Sequence, residues 1–182
     1  VDKEGIEWDK AWDLTARTFA FTNHTVLPEA LEQWPVGLLE HVLPRHLQII
    51  YEINRHFLRE LGYRYLGDLP RQSRMSIISE DGDKMVRMAH LAIVGSSAVN
   101  GVAELHSQIL REHVFEDFYR FWPTKFHNVT NGVTPRRWLR ACNPDLAVLI
   151  TDCIGDGWIR DLSLLRGLEA FVEDGEFQSR WR

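Results

Sequence analysis

The side chains best suited to chemistry fall in a few short runs. Thr22-Asn23-His24-Thr25 sets an imidazole in a turn between a β-prone aromatic run and a proline, the kind of loop that tends to carry function. His24 reads two ways, as a group that touches a ligand or as a turn or capping histidine. Arg136-Arg137-Trp138 joins two guanidinium groups to an indole. That set could hold an anion and stack against a ring. It reads equally well as a helix start with a buried Trp. Gly95-Ser96-Ser97 could donate to an anion at a helix start, but a structural helix junction is the simpler reading. Glu29, Glu32 and Glu40 lie on or near a helix opened by Pro28, where surface carboxylates are ordinary. An acid–base role would need a site that shifts their pKa.

Other chemistries lack their residues. His41 and His46 point to different helical faces, and no H-E-x-x-H or C-x-x-C run exists, so no metal site is expected. Neither a G-x-G-x-x-G run nor a Walker loop is present. Cys142 and Cys153 lie in apolar, helix-like surroundings and read as buried free thiols in a reducing cytosol. Asn23-His-Thr25 and Asn128-Val-Thr130 match the glycosylation pattern by chance in that setting.

The elements that must position these groups are mostly helical. Trp8, Ala11, Trp12 and Thr15 recur at helical spacing, predicting a helix over 7–18. Thr18–Thr22 is short, aromatic and β-prone. A helix follows Pro28. Leu47, Ile50, Tyr51, Asn54, Leu58 and Leu61 share one face of a helix over 45–61, with Gly62 as its C-cap. Residues 62–84 are turn-rich and read as surface, and Met85–Val94 as one helix. Val102, Leu105, His106, Ile109 and Leu110 form another stripe, followed by an aromatic cluster from Phe115 to Phe126. Asn128–Thr134 reads as a loop or edge segment. Helices are then predicted from Pro135 to Cys142, from Pro144, and from Asp161 to Phe171, the last capped by Asp161. Taken alone, the segment is mainly α.

Composition narrows the classes. With 182 residues, 45% hydrophobic and 26% charged, the chain is globular rather than disordered. A net charge of −5 argues against a nucleic-acid partner, which needs a concentrated basic surface. No apolar run is long enough for a membrane span. The chain opens in mid-pattern at Val1 and stops abruptly at Arg182, so it reads as a piece of a longer protein.

Several blocks resemble the glycogen phosphorylase family. They are Thr22–Leu31 with Trp34-Pro35, Leu43–Asn54, Met88–Leu91, Val99–Ala103, Leu105–Ser107 and above all Thr130-Asn-Gly-Val-Thr-Pro-Arg-Arg-Trp138. They run nearly end to end and in order. The chain is identified on them as the central segment of an α-glucan (glycogen, starch or maltodextrin) phosphorylase. Ser97 departs from the pattern, standing where many members have His.

The resemblance implies phosphorolysis of terminal α-1,4-glucosyl units to glucose 1-phosphate. It also implies pyridoxal phosphate as cofactor, a cytoplasmic homodimer, and two α/β domains of the Rossmann-like, GT-B type facing a cleft. Residues 1–130 would end the N-terminal domain, and 131–182 would begin the C-terminal one. By motif, His24 would line the glucosyl pocket, its side chain on the sugar 6-hydroxyl and its carbonyl near the anomeric carbon. Asn131 would share the 6-hydroxyl, Glu29 and Ala30 would line the approach, and Trp138 would pack near the pyridoxal ring. Tyr51, Asn54, Glu80 and Lys84 match a surface polysaccharide site of some members. None of Lys3, Lys10, Lys84 and Lys125 lies in the context of the Schiff-base lysine. No phosphorolysis is therefore expected from this chain alone. The rival readings are a non-catalytic polysaccharide-binding module and a structural relic that only packs or dimerises.

Overall fold

In the computed structural model, which describes residues 1–182, the chain forms two compact units, Val1–Thr130 and Asn131–Arg182. The secondary structure is mostly helical, with two small sheets.

The first unit opens with α1 (Trp8–Thr18), whose Trp8 and Trp12 pack on the core. Strand β1 (Ala20–Thr22) follows. Pro28 opens only a single 3-10 turn, Pro28–Ala30, rather than the expected helix. The chain is drawn straight on into β2 (Gln33–Pro35), and the helix α2 comes later, at Val36–Val42. Glu29, Glu32 and Glu40 therefore do not share one helix.

Helix α3 (Pro44–Arg64) is the backbone of the unit. Its buried residues are Leu47, Ile53, Asn54, Phe57 and Leu61, so the true core stripe is rotated from the expected one. Gly62 does not cap it, for the helix runs to Arg64. A mid-helix glycine costs about 1 kcal/mol against alanine. Here the last turn is anchored, because Arg64 Nη1 donates to the Phe121 carbonyl at 2.8 Å and its guanidinium lies 4.9 Å from the Phe121 ring centre.

Residues 62–84 are not all surface. Helix α4 (Leu69–Met75) is capped by the Asp68 carboxylate, and Met75, Ile77 and Ile78 are buried. The expected helix over Met85–Val94 is a strand, β4 (Met85–Arg87), followed by α5 (Met88–Val94). Strand β4 is the centre of an antiparallel sheet, between β2 and β3 (Ile78–Ser79). An apolar run of this length does not distinguish strand from helix by period alone.

The second sheet is all parallel. Strand β5 (Ala98–Gly101) lies between β1 and β6 (Phe126–Asn128). Ala20 pairs with Ala98 and Thr22 with Asn100, while Val99 pairs with Phe126 and Gly101 with Asn128. Between β5 and β6 come α6 (Glu104–Ile109), a π-helical turn over Leu110–Val114, and α7 (Glu116–Phe121). Leu105, assigned above to the apolar stripe, is 69% exposed. The aromatic cluster is core: Phe115, Phe118, Phe121 and Phe126 are buried, and Phe57 stacks on Phe118 at 5.9 Å.

The second unit has no strand. A π-helical segment (Arg136–Ala141) precedes α8 (Pro144–Ile154), which the Asn143 side chain caps. Residues Leu162–Phe171 are 3-10 rather than α, capped by Asp161 as expected, and α9 (Gly175–Trp181) ends the unit. Its core is Ala147, Ile150 and Trp158 with half-buried neighbours. Cys142 is exposed and Cys153 half-buried, so neither is the buried thiol expected. No helix is long and apolar enough to cross a membrane.

Candidate active site

Parallel strands put all their carboxyl ends on one edge, where the crevices of open α/β sheets take ligands. In the first unit that edge carries Asn23-His24 after β1, Val102 after β5 and Val129 after β6. The loop after β1 is shaped by its own side chains. The buried Asn23 donates its backbone N–H to the Asn100 carbonyl at 2.9 Å, which continues the pairing one residue past β1. Its side-chain oxygen then accepts the Thr25 N–H at 3.0 Å, and Thr25 Oγ1 accepts the Leu27 N–H at 3.2 Å. These consecutive side-chain turns leave His24, between two tied residues, exposed.

His24 and Ala30 line the same open cleft of about 340 Å³, together with Asn23, Glu32 and Ala89. Glu32 is held there: one carboxylate oxygen accepts the Trp34 indole N–H at 2.7 Å, and its carbonyl accepts the Met88 N–H at 3.1 Å. Glu29 is exposed and does not line the cleft. The cleft combines an imidazole, a carboxylate and short apolar walls, a set able to hydrogen-bond a polyol.

The strand ends behind this loop are polar and interlocked. Thr22 Oγ1 donates to Asn100 Oδ1 at 2.8 Å, and Asn100 Nδ2 donates to the Gly101 carbonyl at 3.0 Å. Val102 N–H donates to His106 Nδ1 at 3.0 Å, and Ser107 Oγ donates to Asn128 Oδ1 at 2.9 Å. None of these residues stood out from the sequence by chemistry. Apart from Asn128, they are singled out only by lying in the blocks that carry the family resemblance.

Ser96 and Ser97 do not form an anion site. Ser97 donates both its N–H and its hydroxyl to the Phe19 carbonyl, at 2.8 and 2.9 Å, and Ser96 donates to Ala92. They are a helix junction. No group of His, Cys, Asp and Glu side chains is gathered as for a metal ion.

The group proposed for surface polysaccharide splits. Asn54 is buried, with 8% exposure, and both ends of its amide are engaged: Oδ1 accepts the Ile77 N–H at 2.8 Å, and Nδ2 donates to Ser76 Oγ at 3.1 Å. It cannot present to a sugar, because it holds residues 76–77 against α3. Tyr51 is 39% exposed, and Lys84 pairs with Glu80 at 3.2 Å on the surface.

Lys125 has a feature sought in Schiff-base lysines, since burial lowers its pKa to about 8. Its geometry gives it another role. Nζ donates to the Ile93 carbonyl at 2.8 Å and sits 4.1 Å from the Trp122 ring centre.

In the second unit Asn131 is exposed, as are Arg136, Arg137 and Trp138, the last at 59%. The reading of Trp138 as a buried helix-start residue is thereby removed. Two free guanidinium groups and an open indole suit the phosphate and the ring of a phosphorylated aromatic cofactor. No lysine falls in residues 131–182.

Comparison with known proteins agrees along the whole chain. The family model described as carbohydrate phosphorylase matches residues 1–182. Human glycogen phosphorylase, muscle form, is 59% identical over 97% of this chain, and the mouse muscle form 57% over the same share. Glycogen phosphorylase of the cyanobacterium Synechocystis sp. is 55% identical over 100% of it. The chain spans about a fifth of the length of these relatives, 21% of each. A match covering every residue, with identity above one half, means that the chain belongs to the carbohydrate phosphorylase family.

Proposed function

We propose that this chain is the central segment of an α-1,4-glucan phosphorylase, a hexosyltransferase that depends on pyridoxal phosphate. The observation that carries the reading is the 59% identity, over 97% of the chain, to a protein named glycogen phosphorylase. In the reaction, the bond from the anomeric carbon to the glycosidic oxygen breaks and a bond from that carbon to a phosphate oxygen forms. The departing glucan oxygen takes up a proton.

His24 binds the 6-hydroxyl of the terminal glucosyl unit through its side chain, with Asn131 as second partner. The His24 carbonyl stabilises positive charge developing at the anomeric carbon. A carbonyl can do this only if its loop is fixed beforehand, and the Asn23 and Thr25 turns hold this one from both sides. Ala30 and Glu29 lie on the approach. Trp138 would pack against the ring of the cofactor, and Arg136 and Arg137 could offer charge to its phosphate. When bound, the cofactor supplies a phosphate that exchanges protons with substrate phosphate. The lysine that holds it is none of the four in this chain.

In the parent, residues 1–130 and 131–182 belong to two Rossmann-like domains of GT-B type, and the protein is a cytoplasmic homodimer. The chain alone, without the cofactor lysine, releases no glucose 1-phosphate. A His24→Ala change in the parent lowers glucose 1-phosphate formation by about 100-fold or more. Unchanged turnover in that variant would refute the assignment of His24.

The rival reading, a binding module without catalysis, has lost Asn54 from its surface group. Glycogen co-sedimentation of the chain, abolished by Tyr51→Ala, would be needed to revive it.

A further inference from the structure

We infer that Ser107 is a positioning residue for the glucosyl site, acting through Asn128 on the strand end that leads to Asn131. The inference rests on the phosphorylase reading above and adds a residue to it.

Helix α6 is seated directly on the end of the central strand. Ser107 is 1% exposed, and a Cβ added at Gly101 would lie 2.5 Å from Ser107 Oγ and 2.9 Å from its backbone N. No side chain fits between them, so the first turn of α6 and the end of β5 move together. From that seat two consecutive side chains reach two strand ends. His106 Nδ1 accepts the Val102 N–H, so the loop after β5 keeps no free donor there. Acceptance at Nδ1 puts the neutral ring's proton on Nε2, which is buried without a partner.

Ser107 continues the relay. Its hydroxyl donates to Asn128 Oδ1 at 2.9 Å, and Asn128 Nδ2 donates to Thr130 Oγ1 at 3.1 Å. The Val129 N–H meanwhile donates to the Gly101 carbonyl at 3.1 Å. Asn128 is thus held on one side by α6, and on the other it holds the residue just before Asn131. Across the sheet the same strand β5 holds the His24 loop, through Asn100 and the Asn23 N–H. Strand β5 is therefore bonded both to the His24 loop and, through the Gly101 carbonyl, to the segment that ends at Thr130.

The test uses the full-length enzyme loaded with cofactor, in the direction of glucan synthesis. The donors are glucose 1-phosphate and 6-deoxy-glucose 1-phosphate, with a maltooligosaccharide acceptor. Ser107→Ala and the more exposed Asn128→Ala should each lower kcat/KM for glucose 1-phosphate by about 10- to 100-fold. The 6-deoxy donor should show little of that loss, because the contact being misplaced is absent from it. The double variant should lose no more than the worse single one, since both act on one path. An equal loss with both donors would overturn the inference and leave a general structural role. So would unchanged kinetics in Asn128→Ala, even if Ser107→Ala failed to fold. Wild-type enzyme without phosphorolysis would instead refute the functional reading on which this rests. Wild-type enzyme active on both donors alike would refute the 6-hydroxyl role of His24 and Asn131, and the inference with it.

Discussion

The two units hold their candidate residues in opposite ways. In residues 1–130, sixteen apolar side chains are buried in one cluster, and His24 leaves a parallel strand whose end is tied to its neighbour. In residues 131–182 only three are, and Asn131 and Trp138 precede the first capped α-helix. The first unit preorganises its site residue through strand pairing and side-chain turns. The second presents Asn131 and Trp138 exposed, beside Leu139, which packs on its small core. Preorganised donors are what electrostatic catalysis requires.

The sharpest way to break this contrast is to remove the anchor of the smaller core. Trp158 is fully buried, and its indole N–H donates to Thr151 at 3.2 Å. Trp158→Ala should cost about 3–5 kcal/mol, enough to open the second unit while the first persists. Limited proteolysis should then cut within 131–182 and spare 1–130. Equal cutting in both halves would mean that the units do not stand alone.

In the larger core the buried amide is the corresponding test. Asn54→Ala strands the buried Ile77 N–H and should cost about 2–3 kcal/mol. Tyr51→Ala, on the exposed side, should change stability by less than about 0.5 kcal/mol. Denaturant unfolding followed in the first unit separates the two. Similar losses would contradict the burial difference.

A smaller effect comes from pH. Burial of the His90 ring pushes its pKa down from 6.5 to about 4, against the pull of the Ser76 carbonyl that its Nδ1 contacts. The unfolded chain therefore takes up the proton first as pH falls. Stability is full above about pH 6.5 and declines towards pH 4, with about 2 kcal/mol already lost at pH 5. A His90→Phe variant, read by unfolding at pH 7 and pH 4.5, should lose that dependence. If its slope matched the wild type, other groups would be responsible.

Long amphipathic elements were legible because burial repeats along them. Helices α1, α3 and α8 follow from spacing and from Pro44 and Pro144 in their first turns. The parallel sheet was not, apart from β1. Its strands are three or four residues long, and their partners lie far apart in sequence, so no local pattern declares them. The Met85–Val94 run hid a strand, because its apolar residues suit either element. Asn54 read as a surface residue one turn from Tyr51, while its amide serves a segment that the same reading placed outside the core. Within the site, His24 was visible through its turn and proline context. The Ser107–Asn128 relay was not, since a buried serine has no periodic signature.

The parallel sheet also bears on how the molecule assembles. Residue Ala20 must find Ala98, whereas Val99 needs only Phe126. Loop closure over the longer span costs about 1 kcal/mol more entropy. Strand β1, bonded on one side only, should dock last in folding and detach first under strain. The loop bearing His24 would then be the latest part of the cleft to form, and hydrogen exchange at Phe21 and Asn23 would run ahead of that at Val99.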